Sequence, residues 1–489
     1  MKKALSVILA FSILISTGIL TVFAEESPEG AVVQDNLVTT THKTVIQGKT
    51  VNYTATAGTM AVESGGGQCE IFFIAYTRDG VQDLSKRPIT FAFNGGPGAA
   101  SLYINFLCLG PKRMELDELG HAPALPAALV DNGNSLLDLT DLVFIDAVGT
   151  GYSRAVSEED QFIGYTNDIR TIGDFIRLYV NRNGRWGSPK YLAGESYGTT
   201  RAVGLCEYLS DTYSMGLNGL MLISTVNDFS EVFPTPGNEL PYALYLPTYA
   251  ADAWYHGCLE ERYQSTVLEE FLDEVRDFVS NEYVPALFKG RSLSDERQEE
   301  LAKKIASYTG LKKEYLLKAN LRVESESFFE ELLSEQKLMI GRYDGRFTGP
   351  LTSGSNDPSE FDLDQSLIAA ANRCITDELK YQTDTPYIPL SLDINSRWDY
   401  NCNNSFLAQE ETIYNCMSAN SFLKVWVLCG YYDGATPFYG TEWVYDHVFL
   451  DDLHRENLSF SYYPCGHMFY LDSDSFARFR EEAEAWYQP

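Results

Sequence analysis

The sequence predicts an α/β fold, in which a mostly parallel sheet is covered by helices, and three observations lead to this prediction. Short, continuously apolar runs recur after residue 88, separated by helix-length segments, as expected for strands that are buried on both faces. Residues 36–77 instead alternate in the manner of a β-hairpin. Between residues 228 and 397 the strand pattern stops and charged helical segments replace it. The fold is therefore expected to have a hairpin entrance and a helical insertion.

The predicted elements follow in order along the chain. Gly48-Lys49 forms the turn of the first hairpin, between Thr44–Ile46 and Val51–Thr54, and Ile71–Tyr76 is a further strand. The buried strands are expected at Ile89–Phe93, Leu142–Ile145, Tyr191–Ala193, Leu220–Ile223, Val425–Leu428 and Leu458–Tyr462. Helical spacing is present in Thr266–Ser280, Asp295–Tyr308 and Glu324–Leu338.

These elements predict three segments after the N-terminus. Residues 25–228 form the first part of the α/β core, residues 229–397 a helical cap insertion, and residues 398–489 the second part of the core. The cap is expected to lie over the C-terminal edge of the sheet, where it would shape a substrate pocket and exclude water.

Residues 1–24 are typical of a secretory signal peptide. Lys2 and Lys3 precede the apolar stretch Ala4–Val22, and Ala24 ends it before two acids. The alternative is an uncleaved membrane anchor, because this stretch could just span a bilayer. Cleavage is the favoured interpretation, so the mature protein is expected to be secreted or periplasmic, without stable membrane association.

Composition excludes several function classes. The formal net charge is −31, which disfavours nucleic acids and anionic membranes as partners. The nine cysteines contain no CxxC pair and do not cluster with histidines, so neither a metal nor another cofactor is expected. The one disulfide predicted joins Cys402 and Cys416, which flank a polar loop.

Gly194-Glu195-Ser196-Tyr197-Gly198 is the most informative segment of the chain. The strand-like run Lys190–Ala193 precedes it and the helix-like Thr199–Leu209 follows. Strand, sharp turn and helix with a serine at the apex describe the nucleophile elbow of the α/β-hydrolase fold. Ser196 is therefore the predicted nucleophile.

The general base and its acid are expected after the nucleophile, in the order Ser, Asp, His. Of six histidines, only His467 lies in a loop just after the last strand. Asp433 follows the strand before that one and would orient the imidazole. An alternative for Asp433 is an Asx turn or a helix-entry residue ahead of Thr436. Asp446, Asp451 and Asp452 fit less well, because none ends a strand.

An oxyanion hole needs two backbone amides. One would belong to Tyr197, the residue after the serine. The other would come from the loop Asn94-Gly95-Gly96-Pro97-Gly98 after an early strand, where the glycines permit close approach of the backbone.

These segments together resemble the serine carboxypeptidase family, from about residue 40 to the C-terminus, and the bacterial members look most similar. The motifs that carry the resemblance are Asn94–Gly98 with Ser101, Asp146–Ser153, Gly194–Gly198, Gly430–Asp433 and Gly466–Met468.

The resemblance implies a role for each matched residue. Ser196, Asp433 and His467 would form the triad. The amides of Gly96 and Tyr197 would form the oxyanion hole. Asn94, Gly95 and Glu195 would bind the free carboxylate of the peptide substrate. An acid that faces a carboxylate must share a proton with it, so this binding would favour acidic conditions.

Two departures from the family pattern concern the same region. Ala99-Ala100 replaces the usual Cys-Ser of eukaryotic members, so their disulfides do not transfer. Cys108 stands near the position of a second glutamate that pairs with the first, so the carboxylate site is expected to be less tuned to acid.

The sequence thus predicts an exported serine-type carboxypeptidase that acts on peptides with a free C-terminus. The alternative with the same triad is an esterase or an acyltransferase. A third interpretation is a catalytically inactive peptide-binding protein.

Overall fold

The computed structural model describes residues 33–117, 120–352, 357–359 and 363–488. The predicted signal peptide, residues 1–24, lies outside the described residues. Among the helices that are described, none is long and apolar enough to cross a membrane.

The apolar runs of the sequence form the strands of one large sheet. The strands of the described chain are β1 (Asn36–Ile46), β2 (Lys49–Ser64), β3 (Gly67–Arg78), β4 (Ile89–Phe93), β5 (Lys112–Met114), β6 (Leu129–Asp131), β7 (Asp141–Ile145), β8 (Arg154–Ala155), β9 (Lys190–Glu195), β10 (Gly219–Ile223), β11 (Leu338–Ile340), β12 (Thr348–Pro350), β13 (Lys424–Gly430) and β14 (Leu458–Tyr463).

The large sheet has the strand order β1-β2-β3-β7-β4-β9-β10-β13-β14, with β8 paired to β3. From β7 to β14 every neighbouring pair is parallel, whereas β1, β2 and β3 pair antiparallel. The carboxyl ends of the parallel strands therefore meet at one edge, where Glu195 of β9 is in register with Ile223 of β10. The predicted α/β fold with a hairpin entrance is confirmed.

Helices cover both faces of this sheet. The α-helices of the described chain are α1 (Tyr165–Arg182), α2 (Tyr197–Tyr213), α3 (Leu240–Leu244), α4 (Leu246–Tyr255), α5 (Glu261–Gln264), α6 (Leu268–Phe278), α7 (Val284–Lys289), α8 (Asp295–Thr309), α9 (Lys313–Lys318), α10 (Ser325–Glu331), α11 (Leu363–Arg373), α12 (Leu392–Ser396), α13 (Glu410–Ala419), α14 (Phe438–Asp446), α15 (Asp452–Arg455) and α16 (Ser473–Trp486).

Alternate residues of each central strand enter two different cores, which explains why the runs are continuously apolar. Leu192 of β9 and Leu222 of β10 belong to the core that includes residues of α1 and α2. Their neighbours Ala193 and Met221 belong to the opposite core, which includes Phe476 of α16. Because both faces of these strands are buried, their sequences do not alternate between apolar and polar residues.

The segment between β10 and β13 is mainly helical, and one predicted helix in it is shorter than expected. Instead of running from Glu324 to Leu338, α10 ends at Glu331, and Lys337 adopts a φ of 61°. Leu338 then begins β11, which pairs antiparallel with β12. The apolar spacing of this region is compatible with a helix. The helix nevertheless ends before Leu338, because Lys337 has a left-handed backbone and β11 pairs with a later strand.

All nine cysteines are free thiols in this structure, so the predicted Cys402–Cys416 pair is wrong. The thiol of Cys402 donates to the carbonyl oxygen of Tyr400 at 3.4 Å. Cys416 lies on α13, which packs on α2, and its side chain contacts Cys206. Cys402 and Cys416 are close in sequence, but the neighbour of Cys416 in the structure is Cys206.

Candidate active site

Ser196 stands at the sharp turn between β9 and α2. Its backbone has a φ of 59°, a left-handed conformation that costs energy in a residue other than glycine. A Cβ on Gly194 would lie 2.1 Å from the carbonyl oxygen of Gly198, and one on Gly198 would lie 2.8 Å from the oxygen of Phe93. The flanking glycines are therefore required by close backbone contacts. Ser196 itself is half-buried, so its hydroxyl can reach solvent.

His467 and Asp433 form a buried hydrogen-bonded pair at the same sheet edge. Nδ1 of His467 lies 2.7 Å from Oδ2 of Asp433. Because a carboxylate only accepts, Nδ1 carries the proton and Nε2 is left to accept one. Ser224 Oγ, directly after β10, donates to the carbonyl oxygen of His467 at 2.5 Å and holds this loop beside the elbow.

Further hydrogen bonds fix the Asp433 carboxylate. Its Oδ1 accepts from the amides of Ala435 at 2.8 Å and Thr436 at 2.9 Å, and its Oδ2 accepts from the Thr436 hydroxyl at 2.6 Å. Burial lowers the pKa of His467, but the charge and hydrogen bond of Asp433 outweigh this and hold it above its usual value. Asp433 therefore combines an Asx turn with orientation of the imidazole.

The loop after β4 packs directly on the elbow. A Cβ on Gly95 would lie 2.4 Å from the amide nitrogen of Tyr197, so only glycine permits this contact. Gly96 has a φ of 99°, which glycine adopts without strain. The structure thus places the two predicted oxyanion residues, Gly96 and Tyr197, on adjoining backbones.

Arg201, a residue of α2, connects this loop to the helix. Its Nη1 donates to the carbonyl oxygen of Asn94 at 2.7 Å, and its Nε donates to Asp168 Oδ2 at 2.7 Å. All three residues are buried. The ion pair with Asp168 orients Arg201, and the hydrogen bond from Arg201 to Asn94 then holds the loop in position beside Ser196.

Glu195, Asn94 and Tyr470 form a buried polar group beside the serine. The Tyr470 hydroxyl donates to Glu195 Oε2 at 2.7 Å, and Asn94 adds a side-chain hydrogen bond to Glu195. Burial raises the pKa of Glu195 to about 7, although His467 and these two hydrogen bonds oppose the shift. In mildly acidic solution Glu195 is therefore protonated and can donate.

Cys108 lies in the same buried group, within electrostatic range of Glu195 and Tyr470. Burial, followed by the charge of Glu195, raises the pKa of the Cys108 thiol well above its usual value. The thiol is therefore neutral and contributes no second negative charge.

The segment between β10 and β13 reaches the loops of Asp433 and His467 through a turn between β11 and β12, here called the brace turn (residues 342–346). Its carbonyl and carboxylate oxygens accept from the His467 loop: Tyr343 O from the His467 amide at 2.6 Å, and Asp344 Oδ2 from the Gly466 amide at 3.0 Å. A Cβ on Gly466 would lie 2.2 Å from Tyr343 O, which explains the glycine before the histidine.

The brace turn also holds the Asp433 loop. Gly434 N donates to Arg342 O at 2.9 Å, and Gly345 N donates to Tyr432 O at 2.9 Å. The loops that carry the acid and the base are thereby fixed to one shared segment of the insertion.

Sequence reasoning missed Tyr470, Arg201 and the brace turn. Arg201 left one trace, a single arginine on an otherwise apolar helix face. Tyr470 left none, since its partner is 275 residues away. Among the described residues, no group of histidine, cysteine and acidic side chains could hold a metal ion.

Comparison with known proteins identifies one family and relatives that match part of this chain. The family described as Serine carboxypeptidase matches residues 46–459. The Pheromone-processing carboxypeptidase KEX1 of Yarrowia lipolytica is 28% identical over 207 residues, 40% of this chain and 30% of the relative. Serine carboxypeptidase-like 29 of Arabidopsis thaliana is 30% identical over 157 residues, 29% of this chain and 30% of the relative. The chain thus spans 30% of the length of each curated relative.

A solved structure shows the same fold. The crystal structure of a prohormone-processing carboxypeptidase from Saccharomyces cerevisiae superposes with a TM-score of 0.58 at 17% identity, over 89% of this chain and 91% of that chain.

Proposed function

The chain belongs to the serine carboxypeptidase family, and on that premise we propose that it is an exported serine-type carboxypeptidase. It removes single C-terminal residues from peptides through an acyl-enzyme on Ser196. Asp433 and His467 complete the triad, and the amides of Gly96 and Tyr197 bind the oxyanion.

The reaction runs in two halves. His467 Nε2 takes the proton of Ser196 Oγ as the oxygen attacks the last peptide carbonyl, and the amides of Gly96 and Tyr197 stabilise the resulting negative charge. His467 then gives that proton to the leaving nitrogen, so the C–N bond breaks and the C-terminal residue departs. A water molecule repeats the sequence on the acyl-enzyme and regenerates the serine.

The observation that carries this proposal is the buried carboxyl of Glu195 next to the nucleophile. Its pKa of about 7 leaves it protonated in mildly acidic solution, so it can donate to the substrate's terminal carboxylate. The side chain of Asn94 hydrogen-bonds to this carboxyl, and Gly95 packs against the backbone of Glu195. Because Glu195 directly precedes Ser196, a terminal carboxylate bound to Glu195 lies close to the nucleophile. Only one substrate residue then fits between the terminal carboxylate and the attacked carbonyl group, which favours an exopeptidase.

Three further parts of the proposal concern the rest of the chain. Residues 229–397 act as a cap, which the contacts of the brace turn with both catalytic loops support. Residues 1–24 direct export, and N-terminal sequencing of protein from the culture medium or periplasm would test their removal. The greater similarity to bacterial members stays a prediction, since the two relatives above come from a yeast and a plant.

A matched pair of substrates tests the activity. We expect an N-blocked dipeptide acid to be cleaved, and its C-terminal amide to be cleaved on the order of 100-fold more slowly, because the amide leaves Glu195 without its partner. Equal cleavage of acid and amide, with rapid hydrolysis of simple esters, would instead identify an esterase.

Covalent labelling separates an enzyme from an inactive peptide-binding protein. An organophosphonate should add one adduct at Ser196, detected by mass spectrometry of the digested protein. The Ser196→Ala variant is the matched control and should take no label. A folded wild-type protein that takes no label would contradict the proposal.

A further inference from the structure

Arg342 presents a charged side chain that forms no salt bridge with the described residues, although the carboxylates of Glu326 and Asp433 lie within electrostatic range. Its backbone is held on both sides, since its amide donates to Asp357 Oδ2 and its carbonyl oxygen accepts from Gly434. Its side chain is exposed. Among the described residues, its guanidinium forms no ion pair, and it lies over the aromatic ring of Tyr343. An unpaired cation is notable in a chain with a net charge of −31.

The guanidinium lies close to the catalytic base. Its Cζ is 5.2 Å from the centre of the Tyr343 ring, and that ring lies 5.4 Å from the imidazole of His467. Stacking on an aromatic face holds the planar guanidinium in place without using its hydrogen-bond donors. Those donors are therefore free to bind a carboxylate with two parallel hydrogen bonds.

The strand order indicates which part of a substrate would meet Arg342. Asn94 follows β4, on one side of Ser196, which follows β9. Gly434, which contacts Arg342, follows β13, two strands away on the other side. A peptide held by its terminal carboxylate at Asn94 therefore directs its preceding residues towards β13. Two strand spacings are about 10 Å, within reach of a penultimate side chain and an arginine.

We infer that Arg342 forms a subsite for an acidic penultimate residue, so that peptides ending in Glu-Xaa or Asp-Xaa are the preferred substrates. This inference rests on the proposed carboxypeptidase function and adds the class of peptide that it selects. The subsite offers charge and bidentate geometry together, which a neutral glutamine side chain can satisfy only in part.

The neighbouring charges set the limits of this preference. Glu326 is exposed on α10 and lies within electrostatic range of Arg342, as does the buried Asp433. Asp433 is occupied by His467 and Thr436. Glu326 is therefore the competing carboxylate that a substrate must displace or tolerate.

The test compares three N-blocked dipeptides that share their C-terminal residue and carry Glu, Gln or Lys before it. At about pH 6 a glutamate side chain is ionised. We expect kcat/KM for the Glu peptide to exceed that for the Gln peptide by about tenfold or more. Arg342→Gln should reduce this ratio to about one, and Arg342→Glu should favour the Lys peptide. Glu326→Gln should increase the ratio. Arg291→Gln, another exposed arginine of the insertion, is the matched control.

The ratio distinguishes a subsite from a structural role, since damage to the brace turn would lower all three rates together. Equal rates for the Glu and Gln peptides in the unaltered enzyme, or an unchanged ratio in Arg342→Gln, would overturn the inference while leaving the carboxypeptidase activity in place. If none of the three peptides were cleaved, the proposed function itself would fail.

Discussion

The phenolic hydroxyl of Tyr470 donates a 2.7 Å hydrogen bond to Oε2 of Glu195, the residue before the nucleophile, and both side chains are buried. Cys108 stands near the position where the family resemblance implies a second glutamate, and burial keeps its thiol neutral. A phenol can donate without bringing a negative charge of its own. Glu195 is thereby held in position without having to share a proton with a second acid.

Tyr470→Phe should raise the pKa of Glu195, because the lost hydrogen bond favoured the ionised form. The rise of KM at alkaline pH should therefore begin about one pH unit higher, while kcat changes little. The measurement is KM against pH on a single blocked dipeptide. Tyr463→Phe is the matched control, since that hydroxyl donates to Glu482 elsewhere on the molecule. Superimposable profiles for Tyr470→Phe and the wild type would contradict this role.

Substitution of the triad should separate its members by their effect on kcat. Ser196→Ala and His467→Ala should each lose on the order of 10⁶-fold. Asp433→Asn should lose less, on the order of 10⁴-fold, because the nucleophile, base and oxyanion amides remain. Steady-state kinetics on variants with an unchanged thermal midpoint check this. Asp446→Asn is the control, because Asp446 forms an exposed ion pair with Arg455. A larger loss in Asp446→Asn than in Asp433→Asn would show that Asp433 is not the acid of the triad.

The sequence predicted the sheet edge well, because local patterns determine it. The run Val425–Leu428 is apolar at every position, as a strand buried on both faces must be, and the structure places it inside β13. The elbow was equally clear, since Gly194 and Gly198 are required by contacts within a few residues of Ser196. Such features need no knowledge of the remainder of the chain.

Features that depend on distant contacts could not be predicted. The helix α10 ends ahead of β11, which pairs with a later strand, and the brace turn is distant in sequence from the loops of Asp433 and His467 that it contacts. Tyr470 carries no motif, and its role follows from a contact with a residue 275 positions away. Cys416 has its neighbour on α2, not across the loop that suggested Cys402.

Asp344→Asn should loosen the catalytic histidine through the brace turn. The variant weakens acceptance from the Gly466 amide and removes the charge that pairs with Arg346 at 2.7 Å, so that Arg346 keeps only Asp472, at 3.4 Å. We expect the free energy of unfolding to fall by about 1–3 kcal/mol and kcat to fall on the order of tenfold, with little change in KM. Urea unfolding and steady-state kinetics measure these effects. An unchanged kcat in a destabilised variant would restrict Asp344 to a structural role.

Arg201→Met should destabilise the protein more strongly, by about 3–5 kcal/mol, because it leaves Asp168 buried without its partner. The double variant Arg201→Met with Asp168→Leu removes both charges and should recover much of that stability. Activity should not recover with it, since the carbonyl group of Asn94 still lacks the donor that positions its loop. Chemical denaturation and kcat/KM on both variants check the two effects separately. Full recovery of activity in the double variant would contradict the positioning role.

Glu195 and His467 influence each other's protonation, and this coupling shapes the expected pH dependence. The charge of Glu195 raises the pKa of His467, and protonated His467 lowers the pKa of Glu195. Activity needs neutral His467, present above its own raised pKa, and protonated Glu195, present below about pH 7. The profile of kcat/KM should therefore be bell-shaped, with its alkaline limb close to neutrality.

Glu195→Gln should change mainly the alkaline limb of this profile. The amide keeps a donor for the substrate carboxylate at every pH, so the rise of KM above about pH 7 should flatten. Glu195 is already protonated on the acid limb, so its replacement removes little charge there and the acid limb should stay nearly in place. An ester substrate without a terminal carboxylate should show nearly no change in either KM or kcat/KM, which identifies the substrate carboxylate as the group that Glu195 contacts. KM and kcat/KM are measured from pH 4 to 9 on both substrates. If the KM curves of Glu195→Gln and the wild type ran parallel on the peptide, Glu195 would only support the elbow, and the esterase interpretation would gain.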